Sequence, residues 1–263
     1  MNMNTNIAII IPIYNAGEFL KPCLDSVARQ TIPPDEVILI DDASNDGNHL
    51  YILDYATKHN WIYWRNTNNL GVAASRNIGI RYSKSEYFTF LDADDELIPE
   101  AIENMQAEIY WHKNATMLQF NHVRHYLDKN KTITRFNSNA KRDIRQLDKD
   151  KKPYCKYWYS VWNKCFKRGD NPIMFNENLR YGEDALFVIE RLLNNEYIHT
   201  VIDTTVKHNL GKMDSLIHTK TREDLQKFYN AYRDLLFKDS CDNWVKIKAI
   251  VTLMEQLVTT YAL

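Results

Sequence analysis

The strongest constraint on the fold is the alternation of strand and helix signals through the first 110 residues. Ile7-Ala8-Ile9-Ile10-Ile11 is an unbroken apolar run rich in β-branched residues, the pattern of a strand buried on both faces. Phe19, Leu20, Cys23, Leu24 and Val27 then recur at helical spacing. Val37-Ile38-Leu39-Ile40 is a second buried strand and ends in Asp41-Asp42. A helix around Leu50, Ile52, Leu53 and Ala56 leads to a third strand at Trp61-Ile62-Tyr63-Trp64. A helix from Val72 to Ile80 leads to a fourth, Tyr87 to Leu91, which ends in Asp92-Ala93-Asp94-Asp95. Pro99 opens another helix running to about Trp111, at the position where a missing N–H costs nothing. Such a βα rhythm predicts an α/β fold, with a mostly parallel central sheet and helices on both faces.

Beyond residue 112 the rhythm changes. Met117 to Tyr126 and Lys131 to Phe136 read as a hairpin, and residues 137–156 as basic, polar loop. Val161 to Phe166 and Tyr197 to Ile202 read as strands, Glu183 to Leu193 as an amphipathic helix, and 221–237 and 243–261 as C-terminal helices. The economical division is a catalytic domain over 1–215 and a helical appendage over 216–263. Within the domain, the change of rhythm separates a half over 1–112 from a half over 113–215. The formal net charge of −1 hides a partition along the chain. Residues 1–110 carry 7 basic and 16 acidic side chains, net −9, whereas residues 111–170 carry 15 and 5, net +10. Four cysteines without CxxC spacing argue against a zinc site or a disulfide scaffold and fit a reducing compartment. No secretory signal or 18-residue apolar stretch is present, so a cytoplasmic location is expected.

In an open parallel sheet, ligands bind beyond the carboxyl ends of the strands, where Asp41-Asp42 and Asp92-Ala93-Asp94-Asp95 fall. Carboxylates stacked at one edge repel unless a cation lies between them, and Mg²⁺ or Mn²⁺ prefers such oxygen ligands. For a lone Asp pair, helix capping by Asp94 or Asp95 is the commoner use. The second acidic pair at a neighbouring strand end favours a metal. Neither GxGxxG nor GxxxxGK[ST] occurs, and with 7 glycines in all a glycine cradle for phosphate has little support.

Seven segments then carry a resemblance. They are Ile9-Ile10-Ile11-Pro12-Ile13-Tyr14-Asn15; Cys23-Leu24-Asp25-Ser26-Val27 with Gln30-Thr31; Asp41-Asp42-Ala43-Ser44-Asn45-Asp46-Gly47; Asn69-Leu70-Gly71-Val72-Ala73-Ala74-Ser75-Arg76-Asn77; Phe90-Leu91-Asp92-Ala93-Asp94-Asp95; Val161-Trp162-Asn163-Lys164-Cys165-Phe166-Lys167-Arg168; and Tyr181-Gly182-Glu183-Asp184-Ala185-Leu186-Phe187. Each is weak alone. In this order, over about residues 6–215, they resemble family 2 glycosyltransferases.

The resemblance implies a GT-A (nucleotide-diphospho-sugar transferase) fold, with 1–112 as its nucleotide-sugar half and 113–215 as its acceptor and catalytic-base half. It also implies inverting, metal-dependent transfer of a hexose or N-acetylhexosamine from a UDP-sugar to a growing bacterial surface glycan or lipid-linked oligosaccharide. By position, Pro12, Tyr14 and Asp42 belong to the donor site, with Pro12 and Asp42 at the uracil and Asp42 accepting from its N3–H. Asn69 and Arg76 would flank the base and diphosphate, Asp92 with Ala93 would meet the ribose, and Asp94 would hold Mn²⁺ or Mg²⁺. Asp95 would support the site from behind, and Asp184 would be the general base. The helix dipole is the alternative use of a carboxylate at that helix start, and it suffices for Glu183, which is otherwise an acceptor contact. The family pattern departs at Val206-Lys207-His208-Asn209, Lys212 and Ser215. His208 is an added metal ligand, a hydrogen-bond partner of phosphate or a polar surface residue, and Lys212 and Ser215 would replace Arg and Ser contacts to the diphosphate.

Tyr154, Tyr157, Trp158, Tyr159 and Trp162 form a dense aromatic group that is either a sugar platform, with Trp158 on the acceptor, or a packing anchor. The basic stretch 141–156 is either solvated loop or contact for a phosphorylated lipid carrier or anionic bilayer. Peripheral membrane contact thus stays open, as does packing of the 243–261 stripe on its own domain or a partner. The alternatives are a nucleotidyltransferase, which would want a basic or glycine-rich phosphate loop, and a binding module, which would lack the acidic residues retained here. Nucleic acid is not an expected partner: its binding would fall steeply with salt, whereas a sugar nucleotide should follow Mn²⁺.

Overall fold

Strand β1 (Ile7–Ile13) is buried along its whole length and forms the spine of the protein. A computed structural model describes residues 5–126, 131–135, 160–193, 198–210 and 221–236, the side chains of 131–135, 192, 193, 198, 200, 202 and 210 excepted. β2 (Glu36–Asp41) and β4 (Tyr87–Phe90) flank β1, both parallel to it, and β3 (Ile62–Arg65) lies parallel outside β2. The helices α1 (Leu20–Ala28, entered through a 3₁₀ turn), α2 (His49–His59), α3 (Val72–Tyr82) and α4 (Ala101–Trp111) alternate with these strands. The sheet continues through β8 (Lys164–Lys167), antiparallel to β4, then β6 (Met117–Tyr126) and β9 (Ile198–Leu210). β5 (Glu96–Leu97) pairs with β9, and β7 (Lys131–Arg135) forms the expected hairpin with β6. Helices α5 (Glu183–Leu193) and α6 (Arg222–Leu236) complete the described chain.

Alternation along β1 sends side chains to opposite faces. Ile7, Ile9, Ile11 and Ile13 join Leu24 of α1, Ile52 of α2 and Met105 of α4 on one face. Ala8 and Ile10 join Ile80 of α3 and Phe187 and Val188 of α5 on the other. Burial on both faces explains why the strand reads as a continuous apolar run. Helix α6 covers α5 through Phe228, Tyr232 and Leu235. It starts in a reciprocal cap in which Asp224 accepts from the Thr221 amide at 2.8 Å and Thr221 Oγ1 accepts from the Asp224 amide at 3.2 Å.

Close approach of α3 to β1 requires glycine at position 79: a Cβ there would lie 2.2 Å from Ile10 Cγ2. Gly79→Ala is expected to destabilise the fold by about 1–3 kcal/mol, the usual cost of overpacking a dense core. A urea melt with an unchanged midpoint would contradict this. Two expectations differ from the structure in extent. β8 covers only Lys164–Lys167, because residues 161–163 form a turn, and β9 runs on to Leu210, well past Ile202. The second C-terminal helix expected at 243–261, Tyr154 to Tyr159 and the basic 141–156 stretch lie outside the described residues. Among the described residues no helix is long and apolar enough to cross a membrane.

Candidate active site

The loops after β1 and β2 are laced together. The Asn15 amide donates to Ser44 Oγ at 3.1 Å, and the Asn45 amide donates back to Asn15 Oδ1 at 2.8 Å. Asn15 and Ala43 both adopt positive φ, 48° and 58°, which aims these short loops at one another. Asp41 is fully buried and serves the fold: its carboxylate accepts from the Ser44 amide and Tyr63 hydroxyl and pairs with Arg65 at 3.2 Å. Asp42 accepts from Asn66 Nδ2 and from the Leu70 and Gly71 amides, each at 2.8 Å. It therefore shapes the loop that leads into α3, and three donors leave its two oxygens room for one more. Pro12 is buried beside this loop system, while Tyr14 and Asn69 are exposed.

The second acidic strand end meets the second half of the chain through Arg76. This residue sits on α3 with its side chain only 4% exposed. Its guanidinium donates to Asp92 at 3.0 Å, Glu183 at 3.1 Å and Asp184 at 2.5 Å, and its carbon lies 5.7 Å and 5.4 Å from the ring centres of Phe90 and Phe175. Arg76 thus joins the turn after β4 to the start of α5. Gly182, at φ +77°, sets that helix start, and a Cβ there would strike the Phe228 ring. Asn77, next to Arg76, is buried and pins the 175–177 segment by exchanging hydrogen bonds with the Phe175 backbone.

Burial raises the carboxyl pKa of both Glu183 and Asp184. Their mutual charge adds to the shift at Glu183, and Arg76 opposes it at both. Asp184 has the shortest contact to Arg76, accepts from the Val161 amide and is the more exposed of the two. The ionised form is therefore best supported at Asp184, with Glu183 taking up a proton more readily. Glu183 is 8% exposed and is turned onto Arg76.

Asp95 faces inward behind the turn. It accepts from His208 Nδ1 and from the Asn209 amide, each at 2.8 Å, while Asn209 Nδ2 donates to the Asp94 carbonyl at 2.7 Å. His208 also stacks on Trp162, with ring centres 4.5 Å apart. Burial alone would lower the His208 pKa, but the Asp95 bond and the charges of Asp92 and Asp94 more than offset this and raise it. The oxygen-rich turn suits a hard cation. A carboxylate on Nδ1 is the usual support for a histidine that ligates through Nε2. Asp94 and His208 thus fit a divalent metal. Lys212, Ser215 and Trp158 lie outside the described residues.

Two features escaped the sequence reading. Lys164 is fully buried within reach of the Asp184 charge, in a segment read as a strand and a family motif that gave this lysine no role. The second is a Glu108–His112–His199 cluster, remote in the chain from the acidic turns. Its imidazoles stack with centres 3.4 Å apart and planes 26° from parallel, so their in-plane lone pairs run side by side rather than converge on one ion.

Comparison with known proteins agrees with this geometry. Residues 8–165 match the family described as Glycosyl transferase family 2. Among curated relatives, the minor teichoic acid biosynthesis protein GgaB of Bacillus subtilis is 28% identical over 226 residues, covering 85% of this chain and 24% of GgaB. The chain spans 30% of Escherichia coli YibD and 54% of B. subtilis EpsJ, both described as uncharacterized glycosyltransferases. Among solved structures, S. aureus TarS 1-349 in complex with UDP-GlcNAc superposes with a TM-score of 0.78 at 20% identity, over 97% of this chain and 73% of that one. The mannosyltransferase PcManGT from Pyrobaculum calidifontis, in complex with GDP-Man and Mn²⁺, gives 0.64 at 16%, over 95% and 70%. The fold is that of these GT-A enzymes. With the family match spanning more than half its length, the chain belongs to glycosyl transferase family 2.

Proposed function

We propose that this site transfers a sugar, with inversion, from a UDP-sugar to a hydroxyl of a cell-surface glycan, with Asp184 as general base. The observation that carries the reading is the Arg76 bridge. It sets the Asp92 turn, where a nucleotide would bind, against Asp184 on α5, so that donor and base face one site. The names of the relatives supply the substrate class: teichoic acid biosynthesis for GgaB, and UDP-GlcNAc as the ligand in the TarS complex.

In this reading Asp184 takes the acceptor proton as the acceptor oxygen attacks the anomeric carbon. The bond from that carbon to the diphosphate breaks, and its electron pair leaves on the diphosphate oxygen. Pro12, Tyr14, Asp42 and Asn69 would hold the base, and Asp92 the ribose. Asp94 and His208 would hold Mn²⁺ or Mg²⁺, which supplies Lewis acidity for the departing anion. Lys212 and Ser215 would contact the diphosphate, Trp158 the acceptor. Inversion follows from one displacement with one base and needs no carboxylate nucleophile on the sugar's other face. The basic 141–156 stretch would receive an anionic or lipid-linked acceptor at the inner face of the cytoplasmic membrane.

The test is UDP release from UDP-glucose, UDP-galactose, UDP-GlcNAc and UDP-GalNAc, with Mn²⁺ or with EDTA. Turnover should require the metal. Asp94→Ala should lower it on the order of 10²–10³-fold, as when one electrostatic stabiliser of a developing anion is removed. Full activity in EDTA would overturn the metal assignment, and no turnover of any of these donors would overturn the UDP-sugar reading.

A further inference from the structure

Lys164 opens β8 and is fully buried. Its Nζ donates to the Ser160 carbonyl at 2.6 Å and to Asn163 Oδ1 at 3.1 Å. Ser160 Oγ donates to the same Oδ1 at 3.0 Å. Asn163 in turn is tied to β6: its Nδ2 donates to the Phe120 carbonyl at 3.1 Å, and the Phe120 amide donates to its carbonyl at 2.9 Å. Lys164 therefore closes the 160–163 turn from inside and fixes it to the sheet.

That turn touches the base. Val161 packs, fully buried, with Phe187 and Val188 of α5, and its amide donates to the Asp184 carboxylate. The charged groups facing Asp184 among the described residues are Arg76 from α3, Asp92 from the turn after β4, Glu183 on its own helix and Lys164 from β8. Burial pulls the Lys164 ammonium down to about 7, and the Asp184 charge works against that fall. Burying an ammonium costs several kcal/mol before any partner is counted. An apolar side chain could fill the same space, so packing alone gives no reason for a lysine here.

We propose that Lys164 is a positioning residue for the general base: it holds the 160–163 turn so that the Val161 amide aims at Asp184, and its charge favours the ionised carboxylate. The inference rests on the reading of Asp184 as the base.

Carboxyl-¹³C NMR on the full chain, with Asp184→Asn to assign the resonance, follows the Asp184 titration directly. In Lys164→Met its midpoint should rise by about one pH unit, since loss of a neighbouring cation disfavours the carboxylate. The acid limb of turnover with the best-hydrolysed UDP-sugar should rise with it, with the donor KM unchanged. Lys164→Arg, which keeps the charge, should return the midpoint towards wild type. Should Lys164→Met not fold, the reciprocal measurement still decides. Coupling between two sites is mutual, so Lys164 Nζ, followed by ¹⁵N NMR, should titrate lower in Asp184→Asn than in wild type. Unmoved midpoints in a folded Lys164→Met, or an unmoved Nζ titration in Asp184→Asn, would overturn the proposal while leaving a dead Asp184→Asn as evidence for the base. An Asp184→Asn variant with full turnover would instead overturn the base reading itself.

Discussion

Asp184→Asn should bind UDP with an affinity within about twofold of wild type yet turn over on the order of 10²–10⁴-fold more slowly, the range that one positioned general base contributes. The amide keeps the size of the carboxylate and one acceptor oxygen for Arg76, but it cannot take a proton. Donor affinity should survive because Asp184 stands at the start of α5, across Arg76 from the strand-end loops that would hold the nucleotide. Calorimetric titration with UDP and single-turnover kinetics separate the two quantities. Loss of UDP binding in step with turnover would show that Asp184 belongs to the donor site rather than to the acceptor proton.

The largest effect on stability is expected from Arg76→Met. The guanidinium is almost wholly enclosed and neutralises Asp92, Glu183 and Asp184 together. Removing it leaves three carboxylates facing one another, and breaking a buried ion pair in this way costs about 3–5 kcal/mol. The lower end is expected here, because Asp92 keeps 29% of its side chain in contact with solvent. The pH dependence has a definite sign. Without Arg76 the folded-state pKa values of Glu183 and Asp184 rise further above their unfolded values. Such groups weaken the fold as pH rises between the unfolded and folded values, and cost nothing below the unfolded one. The deficit should therefore be greatest at neutral and alkaline pH and shrink towards pH 4, near the ordinary carboxyl range. Urea melts of both proteins at pH 4, 6 and 8 would measure it; a deficit that stays the same across these pH values would show that Arg76 stabilises through packing on Phe90 and Phe175 instead.

β1, β2 and β4 were legible in the sequence because burial on both faces writes an unbroken apolar run. α5 was legible to the residue because its apolar stripe is clean and a glycine precedes it. β5 was not, since two residues carry no period. The far part of β9 was missed because Asp203, Thr204, Lys207, His208 and Asn209 hide a strand whose neighbours are β5 and β6. The acidic strand ends were visible, but their division of labour was not. Asp41 and Asp42 are adjacent and chemically alike, yet Asp41 closes on Arg65, Tyr63 and Ser44, whereas Asp42 organises the loop before α3. Such differences depend on partners 20 to 30 residues away. The carboxylates gathered around Arg76 are likewise non-local, at positions 92, 183 and 184. The burial of Lys164 was not legible, because its segment reads as a strand and as a family motif that gives this lysine no role.

The placement of β8 bears on how the chain is made. β8 lies between β4 and β6, although it follows β4 in the chain by more than 70 residues, with the Thr89 hydroxyl donating to the Lys164 carbonyl at 2.8 Å. A chain growing on the ribosome can pair β1 through β4 early, but the outer edge of β4 stays uncovered until Lys164–Lys167 has emerged. An apolar strand edge in that condition is a template for mispairing. At about 5–20 residues per second the exposure lasts several seconds, a window in which a nascent-chain chaperone would find its natural binding site.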